Sequence, residues 1–402
     1  MQPALPRPAR RAVGLVRAVV TRTRNEVTAP WFARRSADLA MLPDGAVAVF
    51  FATGPENLYQ FEQWRLPLEE LAGSRPVLVV VDRPDTGAAL LRRTALPVTL
   101  ARGSAALEVL VASRDVRVVL YLNQVEANFR MLRFAGPVHV QIGHGESDKA
   151  SSVSNQHKAY DLVFVGGDAG RDRLGAALRG FDAGQRTRPV GRPQLDHDYP
   201  GAPDWAPGSG HRVLYAPTWE GDRPSIAYGS LASHGVAMVE ALLAAGDVRV
   251  IYRPHPRTGQ ASAAHAAADR QIRALLQARG SRHLVDRGPY GWQWSFADAC
   301  ITDVSAVAYD WLATAKPLVV TEPAATALRP RSPLLERLPL LAPDQAGQVP
   351  YMLRGRGLGR PGGAAGDLAE LVGHYFGETA DRASSRRFAA AIESAYALPR
   401  PS

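Results

Sequence analysis

Val138-His139-Val140-Gln141-Ile142 runs into Gly143-His144-Gly145-Glu146-Ser147-Asp148-Lys149, and Val248-Arg249-Val250-Ile251-Tyr252 runs into Arg253-Pro254-His255-Pro256. Each is an apolar run of strand length that ends in a polar turn carrying a histidine, and each belongs to a series. Ahead of and after the first lie Ala46 to Phe51, Pro76 to Val81, Val116 to Leu122 and Asp161 to Val165. Around the second lie Val213 to Ala216, His283 to Val285, Ala299 to Thr302 and Pro317 to Thr321. Helix-length segments of mixed polarity separate these runs, among them 230–246, 259–279 and 305–314. Alternation of this kind predicts βαβ units and parallel sheets. Asp196 to Gly210, with three prolines and three glycines, interrupts the series and marks a linker. The economical reading is an α/β protein of two Rossmann-like halves, 41–200 and 201–380, preceded by a basic segment 1–40 and followed by a C-terminal helix and tail, 381–402. Residues 353–366, rich in glycine and arginine, read as a loop.

Composition agrees with a folded protein of more than one core. The chain has 402 residues, 46% of them hydrophobic, which at about 150 residues per domain gives two or three. Long disorder throughout is excluded. One cysteine, Cys300, rules out an internal disulfide and a zinc-ribbon or iron–sulfur ligand set, so no oxidising compartment is required. No apolar run reaches the roughly 18 to 20 residues that cross a bilayer, and the stretch around Val13 to Val20 is broken by Arg17. A cytoplasmic chain without a cleaved signal is expected.

The formal charge is +9, from 47 basic and 38 acidic residues, and only Lys149, Lys158 and Lys316 are lysine. Bulk arginine usage of this sort also follows from a GC-rich genome, so it carries no functional weight. Position does. Residues 1–40 hold eight arginines against Glu26 and Asp38. Were 9–24 helical, Arg10, Arg17 and Arg24 would recur every seven residues beside a strip of Val13, Val16 and Val20. Such a helix suits an anionic membrane surface, a nucleic acid or plain solvent. The basic excess sits in one terminal segment without an RNP, zinc-finger or helix-turn-helix signature, so nucleic-acid binding is not expected.

In open α/β sheets, ligands bind beyond the carboxyl ends of the strands, where loops and helix starts converge. His144 stands there between two glycines, with the rare Lys149 five residues on. An imidazole of ordinary pKa can accept a proton at neutral pH, although a surface turn would look the same. Arg253-Pro254-His255-Pro256 holds a histidine on an extended backbone beside a cation, which suits an anion or serves as a rigid turn. Thr302-Asp303-Val304-Ser305 ends a strand and opens a helix, where Asp303 or Ser305 either caps the helix or meets a phosphate. Tyr215, Thr218 and Trp219 follow another strand as candidates to line a cleft, and Arg192 precedes the linker. No Walker A loop, GxGxxG after the first strand, GxSxG elbow or HExxH helix is present. No metal-ligand spacing is present either, and no cofactor is called for.

In order, His144-Gly145-x-x-x-Lys149, Gly191-x-Pro193-x-x-Asp196, Leu214-Tyr215-Ala216-Pro217-Thr218-Trp219, Arg253-Pro254-His255-Pro256 and Thr302-Asp303-x-Ser305 through Asp310 to Lys316-Pro317 resemble the CDP-glycerol glycerophosphotransferase family. These are bacterial enzymes that prime or polymerise teichoic-acid chains. The resemblance covers roughly 140–322. It implies a GT-B-like fold, two Rossmann-like domains facing a central cleft, and transfer of a polyol phosphate from a CDP-activated donor to a hydroxyl with release of CMP. It implies that 41–200 serves the acceptor and 201–380 the donor nucleotide. His144 and His255 become the catalytic candidates, His144 as base on the acceptor hydroxyl and His255 with Ser305 at the donor phosphates. Asp303 and Lys149 join the donor-phosphate set, and Arg253 and Arg192 are added on electrostatic grounds. The implied partners are CDP-glycerol or another CDP-polyol, a lipid-linked or polymer acceptor, and the inner face of the cell membrane, met peripherally through residues 1–40.

The chain also differs from the family pattern. Glu146-Ser147-Asp148 stands where Thr-Pro-Leu is common, bringing two carboxylates near the supposed phosphate site; Gln194 replaces an arginine and Ala306 a serine. Donor polyol and metal dependence stay open. Two rivals follow: a GT-B glycosyltransferase using a nucleotide sugar, and a catalytically silent relative that binds membrane or a partner.

Overall fold

The structure, a computed structural model, describes residues 7–37, 44–149, 152–206, 208, 210–223, 226–323, 332–338, 340–359 and 365–400, with main chain alone at 7–19 and 365–367. The ends of the basic segment, 1–6 and 38–40, and residues 360–364 of the glycine- and arginine-rich stretch lie outside the described residues. Two compact units form: Met1–Ile142 with Ile392–Ser402, and Gly143–Ala391.

The first unit begins with α1 (Arg7–Ala33), a helix of 27 residues whose second half is tied down. Phe32 is fully buried, and the side-chain oxygen of Asn25 accepts the main-chain N–H of Asp85 at 3.2 Å. Then come β1 (Val47–Phe51), α2 (Leu58–Leu71), β2 (Val77–Val81), α3 (Pro84–Leu90), β3 (Val98–Leu100), α4 (Gly103–Ser113), β4 (Val118–Tyr121), α5 (Phe129–Leu132) and β5 (Val138–Gln141). The strands run parallel in the order β3-β2-β1-β4-β5. Val47 to Phe51 and Val77 to Val81 are buried along their whole length, as parallel strands covered on both faces must be. His139 sits inside β5, its Nδ1 paired with the Tyr121 hydroxyl at 2.8 Å and its Nε2 with the Phe134 carbonyl at 2.7 Å, so this histidine is structural.

The second unit opens with β6 (Leu162–Val165), α6 (Asp168–Ala177), α7 (Ala183–Arg186) and β7 (Thr187–Pro189), in which β6 and β7 pair in parallel. It continues with β8 (His211–Ala216), α8 (Val236–Ala244), β9 (Val248–Tyr252), α9 (Ala263–Gln277), β10 (Leu284–Val285), α10 (Trp292–Phe296), β11 (Ala299–Thr302), α11 (Ala306–Leu312) and β12 (Leu318–Val320). Helices α12 (Pro333–Arg337), α13 (Val349–Gly355), α14 (Ala365–Phe376) and α15 (Ala383–Tyr396) follow. The strands β8 to β12 form a parallel sheet ordered β10-β9-β8-β11-β12. The order reverses between β8 and β11, so their carboxyl ends frame the position where such sheets bind ligands. Cys300 is buried in β11, and burial pushes its thiol pKa well up, leaving it unreactive. Among the described residues no helix is long and apolar enough to cross a membrane.

Candidate active site

The site in the second unit is built around Asp303, one residue past β11. In the ladder Thr302 pairs with Ala216, which brings the chain after β11 beside the chain after β8. The Asp303 carboxylate is completely buried and accepts from the Thr218 N–H at 2.7 Å, the Ser230 N–H at 3.3 Å, the Thr321 hydroxyl at 2.6 Å and the Ser230 hydroxyl. Burial raises its pKa, and these donors counter the rise. Asp303 therefore ties three loops together, and its oxygens are spent on protein donors. As a direct contact to a donor phosphate it is corrected to a positioning residue.

Lys149 is the cation next to this carboxylate. Its ammonium lies 5.4 Å from the centroid of the buried Tyr228 ring. Burial lowers its pKa to about 8 against the opposing pull of Asp303. The loop that delivers it leaves β5 through Gly143, whose φ of +62° lies in the left-handed region, and passes Gly145 so near α11 that a Cβ there would come 2.6 Å from the Ala306 Cβ. His144 lies between these glycines and is partly buried.

His255 faces the same cluster. The Arg257 N–H donates to its Nδ1 at 3.1 Å, so the ring is neutral with its proton on Nε2. Its ring is stacked on Trp219, with centroids 6.5 Å apart and planes 25° apart, and the Arg257 guanidinium lies 3.6 Å from the centroid of the Trp219 ring. Burial, then the charges of Lys149 and Arg257 and the nearby His144, lower the His255 pKa to about 3. Glu220 holds this loop: its carboxylate accepts the N–H groups of Gly259 at 3.0 Å, Ala261 at 2.7 Å and Ser262 at 3.0 Å.

Other expected contacts occupy different roles. Arg192 forks onto Asp310, Nε to Oδ1 at 2.6 Å and Nη2 to Oδ2 at 3.1 Å, with both side chains buried and the Tyr290 hydroxyl also on Asp310 at 2.8 Å. In this structure that pair braces the loop ahead of the linker, holding the guanidinium through Nε and Nη2. Tyr215 is fully buried beside Tyr252, ring centroids 5.6 Å apart, and burial together with the nearby Asp303 carboxylate pushes its hydroxyl pKa well up. It lines no cleft. Thr218 and Trp219 are nearly buried at the carboxyl end of β8. Arg253 is gripped through Nη1 by Asp286 at 2.5 Å, which also accepts from Gln293 at 2.7 Å and the Gly288 N–H at 2.7 Å. Ser305 stands at the start of α11, and its hydroxyl pairs with Thr302 at 3.3 Å instead of capping the helix.

The two carboxylates that depart from the family pattern are turned aside. Arg173 on α6 bonds Glu146 at 2.6 Å and Asp148 at 2.5 Å. Glu146 also accepts the Gly166 N–H at 2.5 Å, and the Tyr375 hydroxyl bonds Asp148 at 2.6 Å. Arg173 balances one of their two charges, and both carboxylates are spent on protein donors. Lys316 is structural as well: its ammonium bonds the carbonyls of Trp294, Ser295 and Ala297 at 2.8, 3.0 and 2.8 Å. Sequence reasoning missed Glu220, Tyr228, Ser230, Arg257 and Asp286, of which Glu220, directly after Trp219, and Arg257, directly after Pro256, adjoined quoted motifs. Among the described residues no group of three His, Cys, Asp or Glu side chains is placed to hold a metal.

Residues 206–326, which carry Asp303, His255, Ser305 and Trp219, match the family model described as CDP-Glycerol:Poly(glycerophosphate) glycerophosphotransferase. A search of curated proteins finds no significant sequence match. Among solved structures, the wall teichoic acid polymerase TagF is similar at 14% identity over 96% of this chain and 97% of that chain, with TM-score 0.56. A UDP-N-acetylglucosamine 2-epimerase from Listeria monocytogenes is similar at 14% identity over 89% of this chain and 98% of that one, with TM-score 0.57. A glycosyltransferase from Rickettsia africae is similar at 8% identity over 89% of this chain and all of that one, with TM-score 0.54. These likenesses show a GT-B-type fold. The matched segment and the loops it arranges are those of a glycerophosphotransferase-like transferase.

Proposed function

We propose that the protein transfers a polyol phosphate, glycerol phosphate foremost, from a CDP-activated donor to a hydroxyl of a lipid-linked or polymer acceptor in the synthesis of a bacterial cell-surface polymer. The observation that carries this reading is the cluster of Lys149 with neutral His255 and Asp303, the last two inside the segment that matches the family. The TagF structures include ones soaked with CDPG, which supports a donor of this kind. In the proposed step the acceptor oxygen bonds the phosphorus of the glycerol phosphate and the anhydride bond to CMP breaks. The acceptor proton passes to His144, and the electron pair of the broken bond leaves on CMP. Lys149, the Nε2–H of His255, Ser305 and the remaining N–H groups of Arg253 stabilise charge on the donor phosphates. Thr218 and Trp219 shape the surroundings, and Asp303, Glu220 and Asp286 hold the loops.

The division into an acceptor domain, 41–200, and a donor domain, 201–380, belongs to the same proposal. So does peripheral attachment to the inner membrane face through the basic helix α1, for which the arginines of residues 1–40 supply the charge. The test is nucleotide release from CDP-glycerol, CDP-ribitol and a panel of UDP-sugars, with a bacterial membrane extract as acceptor. CMP from one CDP-polyol, lost in His144→Ala and His255→Ala, is the expected result. A nucleoside diphosphate from a UDP-sugar would replace the reading with glycosyl transfer, and folded protein without turnover would replace it with a silent relative.

A further inference from the structure

The first unit carries a polar notch whose residues have been given no role so far. Its strand order reverses between β1 and β4, which places a crevice beyond the carboxyl ends of those strands. In the ladders Phe51 pairs with Val81 and Phe50 with Tyr121. One step past the strands, Asp82, Ala52 and Asn123 therefore stand abreast, with the small Ala52 between a carboxylate and a carboxamide about 10 Å apart at ordinary strand spacing.

Side chains close this notch on both sides. Arg130 of α5, the short helix after β4, bonds Asp82 Oδ2 at 2.5 Å. Opposite, Gln60 of α2 accepts from the Asn123 amide at 2.7 Å, and Asn128 donates to the Asn123 carbonyl at 2.7 Å, which fixes that residue from two directions. The other oxygen of Asp82 and the hydroxyl of Thr53 are buried without a hydrogen-bond partner among the described residues. Burial raises the Asp82 pKa in spite of Arg130, as befits a carboxylate short of a donor. Buried polar atoms without partners are rare and call for a missing one. The Arg130 side chain remains 38% exposed and the Asp82 side chain 12%.

We infer that this notch binds the hydroxyl-bearing end of the acceptor, a polyol unit whose O–H groups donate to Asp82 and Asn123, with Arg130 meeting an adjoining phosphate. The inference rests on the phosphotransfer reading, and it assigns a binding site to residues outside the family-matched segment. A carboxylate and an amide oxygen both want O–H donors, and the guanidinium suits the phosphate that joins polyol units.

The test uses full-length protein, CDP-glycerol and a short alkyl-anchored poly(glycerol phosphate) oligomer as acceptor probe. The variants are Asn123→Ala and Asp82→Asn, the second keeping shape and a hydrogen bond to Arg130. Each is checked by thermal unfolding, so one folded variant suffices. The expected result is a rise of at least tenfold in KM for the oligomer, with KM for CDP-glycerol moving less than twofold. An unchanged KM for the oligomer in a folded variant overturns the inference. If wild type releases no CMP, the phosphotransfer reading fails separately, and saturation-transfer NMR with the oligomer alone decides the notch. Transfer seen in wild type and lost in the variants supports it; equal transfer, or none to wild type, overturns it.

Discussion

Arg192 and Asp310, 118 positions apart in sequence, form a two-pronged buried ion pair in which both guanidinium–carboxylate bonds are 3.1 Å or shorter. A motif arginine that reads as a phosphate ligand is thereby committed to holding the loop after β7 against α11. Removing one partner of a buried pair strands the other charge, at a cost of about 3–5 kcal/mol. Arg192→Met is expected to lose stability on that scale in chemical denaturation. A loss below about 1 kcal/mol joined to a raised KM for the donor would return Arg192 to the donor site.

Lys149 predicts an alkaline limb. Its pKa in the fold is about 8, below the ordinary 10.5. Between these values the unfolded chain holds a proton that the folded chain has released, so this group's contribution to stability improves as pH rises through that window. Donor binding goes the other way, because the ammonium is what meets the phosphate. KM for the donor should climb roughly tenfold per pH unit well above about 8, as the fraction of Lys149 still protonated falls. Lys149→Arg should abolish that limb within the range where the fold is stable, and a limb that persists in the arginine variant would assign it elsewhere.

His255 should stay neutral throughout the working range. With its pKa lowered to about 3, the unfolded imidazole takes up a proton near its ordinary 6.5 while the folded one does not, so stability falls as pH drops from 6.5 toward 3. Nitrogen NMR of ring-labelled protein should show an unprotonated Nδ1 and a protonated Nε2 from pH 5 to 8. Titration near pH 6, or the opposite tautomer, would refute the role of Nε2–H as a phosphate donor.

Lys316→Met separates structure from chemistry at a motif lysine. Three carbonyls lose a charged donor, so a destabilisation of about 1.5–3 kcal/mol is expected in urea unfolding. KM for donor and acceptor should stay within twofold. A selective rise in donor KM would show that Lys316 reaches the substrate.

Much of the architecture was legible because parallel strands covered on both faces are continuous apolar runs. Val77 to Val81 and Val248 to Tyr252 could be read directly. The short β3 and β7 could not: Val98–Leu100 and Thr187–Pro189 are three residues each, too brief for a pattern to stand out. The helix expected near 230 opens as a π-helical turn, Leu231–Gly235, and continues as α8 from Val236. His144, Lys149 and His255 were visible at strand ends, where position alone singles out polar residues.

By itself the sequence determined the α/β class, the parallel strands and the loops that bear the histidines. Each of these is written in local pattern, in runs of Val and Ile followed by Gly, His and Pro. Tertiary structure decided what each charged group does. Asp303, Arg192, Glu146 and Asp148 all stand in motif loops, yet each is satisfied by a partner on a distant element, Thr321, Asp310 or Arg173. The physical reason is that a buried charge must be paired, and its partner is chosen by packing in three dimensions rather than by spacing along the chain.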